Sequence, residues 1–198
     1  MKKEDIRVWK LTTDSNQDVN LRTGIDYFQT HFVGESMQEG WTSPGIRISG
    51  RSKRLRDFLS WMSSAPVISE KAKDALEDLI RPYAEILPLI ELRGKLYYAV
   101  NVLKTVDCLD RERSDISFSP NDGRILRVCK SVFQADRLMD VPIFKVPEDV
   151  GQVFVIRSFV DAVSANGLRG AAFADPAASP FAAIMQGKSQ NIVPGVPE

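Results

Sequence analysis

The chain has 198 residues, 43% apolar and 26% charged, and its twenty-six basic residues balance twenty-six acidic ones. That composition suits one domain with a sizeable core, and zero net charge leaves no global field to draw the chain to nucleic acid or anionic lipid. No apolar stretch approaches the roughly 20 residues of a spanning helix, and the N-terminal MKKEDIRVWKLTTDSN lacks the apolar run of a signal peptide. Cys108 and Cys129 have no motif spacing, so they read as reduced thiols, Cys129 buried, in a cytoplasmic protein.

In chain order, Ile6–Leu11 alternates well enough for a first strand, Asp14–Asn20 is a polar loop, and Ile25–Val33, with the lone histidine His31, fits either periodicity. Gly40-Trp41-Thr-Ser-Pro44-Gly45 is a turn cluster leading into a short strand at Ile46–Ile48. Leu55, Phe58, Leu59 and Met62 fall at helical spacing, which predicts a helix over Arg51–Met62. A second helix is predicted from an N-cap at Ser69, with Glu70 in its first turn and Ala72, Ala75, Leu76, Leu79 and Ile80 as its apolar stripe, ending before Pro82.

The organising stretch follows. Ile86–Leu92 and Leu96–Val102 are almost wholly apolar and flank Arg93-Gly94-Lys95, which predicts a hairpin of two central strands covered on both faces. A second hairpin is expected from Ile116–Phe118 and Ile125–Cys129 around Pro120-Asn-Asp-Gly123. Val132–Met139 is a short element of unassigned type, and Pro142–Val146 and Val153–Ile156 are strands with Gly151 in the turn between them. Ser158-Phe-Val-Asp161 resembles a capping box opening a helix that ends at Asn166-Gly167, and Leu168–Phe173 is the last strand. These elements predict a single α+β domain over 1–174, with a mainly antiparallel central sheet and a few flanking helices. An Ala/Pro-rich tail over 175–198 would be anchored only through Phe181, Ile184 and Met185.

Motifs of catalysis are sparse. One histidine provides no second imidazole for a metal, and there is no Gly-rich phosphate loop, nucleophile elbow or zinc-protease helix. Asp107, Asp110, Glu112 and Asp115 lack the glycine and ligand alternation of a calcium loop, and Arg111 and Arg113 are interleaved with them, which favours ion pairs over acid–base work. Asp110 and Ser114, at i and i+4, are placed to bond the backbone at the exit of the core strands. Arg51, Lys53, Arg54 and Arg56 form one basic cluster without interleaved aromatics, a solvated face in the plainest reading and a grip for an acidic protein surface in the functional one.

Several stretches resemble the imm-eleven-like family of bacterial immunity proteins, long catalogued as a domain of unknown function. They are Trp41-Thr-Ser-Pro-Gly-Ile, Arg56-Asp-Phe-Leu59, Val67-Ile-Ser-Glu-Lys-Ala72, Ile86-Leu-Pro-Leu89, Tyr97-Tyr-Ala-Val-Asn101, Val106-Asp-Cys-Leu-Asp110 with Ser114, Val132-Phe133, Ile143-Phe-Lys145 and Gly167-Leu-Arg-Gly170. The likeness runs from Trp41 to Phe173. It implies a cytoplasmic protein that neutralises a polymorphic toxin by binding and occluding it, with no catalytic residue and no cofactor to carry over. Tyr27, Trp41, Arg51, Lys53, Arg54 and Arg56 are the candidate partner-binding residues, because they lie in loop-like or polar settings. The alternatives are an enzyme using the Asp107–Asp115 segment and a nucleic-acid-associated module using the basic cluster.

Overall fold

The apolar runs around Gly94 form the longest pair of strands in a computed structural model, which describes residues 6–14, 19–23, 31–50, 55–61, 65–138 and 140–178. Strand β6 (Ala84–Leu92) and strand β7 (Lys95–Val102) pair antiparallel across a two-residue turn. Arg93 and Gly94 both take positive φ, 53° and 74°, the geometry whose twist matches a right-handed hairpin. Alternate residues of β7 enter opposite cores: Tyr97 and Ala99 on one side, Val100 and Val102 on the other. Burial on both faces is why the run has no polar alternation.

Around this hairpin lies a six-stranded sheet in the order β3-β2-β4-β5-β7-β6, with β2 (Asn20–Arg22), β3 (Arg47–Ser49), β4 (Phe58–Trp61) and β5 (Val67–Ser69). All its pairings are antiparallel except β2 with β4. A four-stranded antiparallel sheet, β10-β11-β1-β12, joins β1 (Val8–Thr13), β10 (Ile143–Val146), β11 (Asp149–Ile156) and β12 (Ala171–Ala174). Helices α1 (Glu70–Ile80) and α2 (Arg157–Ala165) complete a shared core in which Leu76, Ile80, Phe159 and Val163 meet Phe58, Ile68 and Val100 of one sheet and Leu11, Val153 and Val155 of the other. The fold is α+β with mainly antiparallel sheets, and among the described residues no helix is long and apolar enough to cross a membrane.

Several expectations change. The Arg51–Met62 helix does not form over its described part, because Phe58–Trp61 is strand β4: Phe58 enters the shared core while Leu59 and Trp61 enter the core behind the six-stranded sheet. A short strand buried on both faces satisfies helical spacing by coincidence. The long hairpin is not wholly central, since β6 is an edge strand. That edge is covered instead by the preceding segment: Trp41 Nε1 donates to the Pro88 carbonyl at 2.8 Å and Ser43 Oγ to the Leu89 carbonyl. Gly151 lies inside β11, and the β10–β11 turn is Pro147-Glu148. Ser158 does not cap α2, whose N-cap is Ile156, and Asp161 instead pairs with Arg157 at 2.8 Å. Ser69 does cap α1, accepting the Ala72 N–H at 3.2 Å. Cys108 is the fully buried cysteine and Cys129 only half-buried, both as free thiols. The Ile25–Val33 segment before residue 31, most of the Asp14–Asn20 loop, Met139 and the tail anchors Phe181, Ile184 and Met185 lie outside the described residues.

Each sheet's outer face is covered by irregular chain. Residues 31–46 cross the six-stranded sheet, bringing Phe32 and Trp41 edge-on to one another and Phe32 edge-on to Trp61. Buried polar groups hold this strap in place. Lys145, fully buried, donates from Nζ to the Phe32 carbonyl, and Asn101 Nδ2 donates to the Glu35 carbonyl at 2.8 Å and to Glu85 Oε2 at 3.0 Å. Burial raises the Glu85 carboxyl's pKa, but hydrogen bonds from the Met37 N–H, Ser36 and Asn101 outweigh it and hold the group below its ordinary value. Over the four-stranded sheet, the segments on either side of a second hairpin bury Val106, Cys108, Leu138 and Val141 against Phe144, Phe154 and Ile156.

Candidate functional site: a free-edged hairpin on a charged root

The segment leaving β7 first adds to the β10 edge, where Val106 N–H donates to the Lys145 carbonyl at 2.8 Å and Lys145 N–H to the Lys104 carbonyl at 2.9 Å. It then turns outward at the acidic run. Asp110 N–H donates to the Val132 carbonyl at 2.8 Å, the Ser114 hydroxyl accepts the Val132 N–H at 3.0 Å, and Asp110 Oδ1 accepts the Arg113 N–H at 3.1 Å. A bridge between Leu109 and Phe133 closes this root.

Arginines answer the carboxylates here. Glu148, its side chain 1% exposed, takes Arg111 at 2.6 Å on Oε1, and Asp107 faces Arg137 at 3.4 Å and Arg111 at 4.0 Å. Arg113 stands 4.0 Å from Asp110. Beside them the Cys108 thiol is pushed up to about 12 by burial, with the Glu148 and Asp107 charges adding to the effect. A protonated, enclosed thiol is a poor nucleophile. Among the described residues no group of three or more His, Cys, Asp or Glu is placed to hold a metal ion. The segment is therefore arranged as a structural root.

From this root rises a separate two-stranded sheet, β8 (Asp115–Phe118) and β9 (Ile125–Lys130). Its turn is tightly bonded: Ser119 N–H donates to the Arg124 carbonyl at 2.8 Å, Gly123 N–H to the Ser119 carbonyl at 3.0 Å, and Gly123 takes φ 69°. Ile116 pairs with Val128 and Phe118 with Ile125, so one face is apolar, while Ser117 opposite Arg127 and Asp115 opposite Lys130 form the polar face. Val128 is buried, whereas Phe118 and Leu126 near the tip are 57% and 56% exposed. Two large apolar side chains are thus left exposed on a hairpin that no further strand extends among the described residues.

The sequence-predicted contacts lie elsewhere. Trp41 is half-buried, packed on Phe32 and bonded to Pro88. Arg56 pairs with Asp14 at 2.5 Å, and its carbonyl accepts the Tyr97 hydroxyl at 2.9 Å. Tyr27, Arg51, Lys53 and Arg54 lie outside the described residues. Sequence reasoning found the β8–β9 hairpin and passed over Phe118, Leu126 and Arg127. The available signal was the polar sequence on both sides of the hairpin, which supplies no third strand to cover it.

The family model of an immunity protein family, Imm11, matches residues 35–178, well over half of the chain. The matched span includes the strap from residue 35 onward, strands β3 to β12 with both helices, and the whole β8–β9 hairpin with its root. No curated protein matches the chain.

Proposed function

The chain belongs to the Imm11 immunity protein family, and from that premise we propose that it neutralises a cognate toxin by binding it directly and covering the toxin's working surface. The observation that supports direct binding is the β8–β9 hairpin, fixed at its root and exposing Phe118 and Leu126. A rigid element loses little freedom on docking, and a few apolar anchors supply most of the affinity of such interfaces. The protein acts by occupancy and not as an enzyme: the Asp107 and Asp110 carboxylates of the root are engaged with arginines and a backbone N–H. Tyr27, Trp41, Arg51, Lys53, Arg54 and Arg56 are proposed as secondary contacts.

The encounter takes place in the cytoplasm, and the toxin attacks a cytoplasmic target. Protection against a few toxin molecules requires tight binding, and nanomolar dissociation corresponds to about −12 kcal/mol. The test is co-expression in the cytoplasm with the toxin domain encoded beside this gene, together with calorimetry on the purified pair. Growth rescue and a stoichiometric complex are expected. Absence of both overturns the proposal.

A further inference from the structure

Strand edges are templates for pairing with another chain, and folds shield them with prolines, bulges, charges or covering segments. Edge strand β6 carries Pro88 and a register shift between Pro88 and Ile90, and Trp41 and Ser43 occupy its carbonyls. Edge strand β10 is paired by residues 104–106. In the β8–β9 hairpin the two strands differ. β9 holds both extra residues of the pairing, Leu126 and Cys129, and carries Arg127 and Lys130. β8, Asp-Ile-Ser-Phe, is regular, has no proline, lysine or arginine, and its backbone makes no hydrogen bond beyond its pairing with β9 among the described residues. Of the hairpin's two edges β8 is the unguarded one; among the other edge strands β3 carries Arg47, and β12 is half-buried along its length where β8 is mostly exposed.

Building on the proposed toxin neutralisation, we infer that the toxin docks by adding an extended strand to the outer edge of β8. The side-chain pattern on β8 sets the chemistry of that strand. Residues paired across a sheet share a face. The incoming residues opposite Ile116 and Phe118 therefore meet the apolar face and are themselves apolar. The residue opposite Ser117 shares a face with Arg127, which is exposed and has no ion pair among the described residues. A carboxylate there complements it, which gives an apolar–acidic–apolar segment. A second copy of this chain fits less well. Antiparallel β8–β8 pairing that sets Asp115 beside Arg127 also sets Ser114 opposite Phe118 and leaves the apolar ring unmatched.

The experiment is hydrogen exchange on the full chain, alone and with the toxin domain encoded beside its gene, paired with calorimetry on Phe118→Lys and Arg127→Glu. Both side chains are exposed, so unchanged thermal melts are expected to confirm that the variants fold. With toxin bound, amides of Asp115–Phe118 gain protection and those on the outer edge of β9 do not. Phe118→Lys weakens binding about 30-fold or more, the size of a hot-spot loss, and Arg127→Glu about 10-fold. Wild-type affinity in both variants, or a complex that leaves the β8 amides unchanged, overturns strand addition while toxin binding stands. Protection of β8 that rises with protein concentration without toxin assigns the edge to a second copy and overturns it as well. No complex and no rescue removes the functional reading and this docking mode together.

Discussion

Lys145 provides the sharpest test of how the strap over the six-stranded sheet is held. Its ammonium is fully buried on β10, with Nζ on the Phe32 carbonyl, and burial drives its pKa from 10.5 down to about 8, with the Asp149 charge opposing only part of that shift. Below pH 8 the amine is charged in both folded and unfolded chains, and the folded state bears the whole cost of burying it. Between pH 8 and 10.5 the folded protein releases the proton while the unfolded chain keeps it, so stability rises with pH. At about 1.4 kcal/mol per pH unit, that window is worth on the order of 3 kcal/mol. Replacing the lysine by methionine removes the titration. Urea melts of wild type and Lys145→Met at pH 7, 8, 9, 10 and 10.5 measure it, with other ionising groups cancelling in the difference. The wild type is expected to gain on the variant by about 3 kcal/mol across the series. A difference constant to within about 0.5 kcal/mol would refute the buried, desolvated placement of Lys145.

Leu89 and Val100 enter opposite cores of the long hairpin, and truncating either to alanine is expected to cost about 1–5 kcal/mol in a chemical melt; under about 0.5 kcal/mol for both sinks the core assignment. Iodoacetamide at pH 8 is expected to label Cys129 in the folded protein and Cys108 only after denaturation, because the Cys108 thiol is buried and pushed up to about 12. Equal labelling by mass spectrometry contradicts the enclosed root. With zero net charge, the basic run Arg51–Arg56 is expected to give no shift of random duplex DNA or RNA at micromolar protein and physiological salt. A clear, salt-sensitive shift would favour a nucleic-acid role over toxin binding.

Local chemistry was enough for the elements whose signals are themselves local. Gly94 between two apolar runs specified the long hairpin, Ser69 with Glu70 specified the start of α1, and Asn-Asp-Gly123 specified the second turn. The nearly continuous apolar character of Leu96–Val102 also announced burial on both faces. Tertiary structure decided the rest. Phe58 and Leu59 suit a helix until two cores lie on either side of them, and Ser158 suits a cap until Ile156 is drawn into the core and ends β11 beside α2. Lys145, Asn101 and Glu148 are polar residues whose partners are not legible in the linear chain, and only the crossing of the strap and the Arg111 turn provides the partners that let them be buried. The unguarded β8 edge was equally illegible. An edge is defined by which strands are absent beside it, and that follows from long-range pairing, not from the residues of the strand itself.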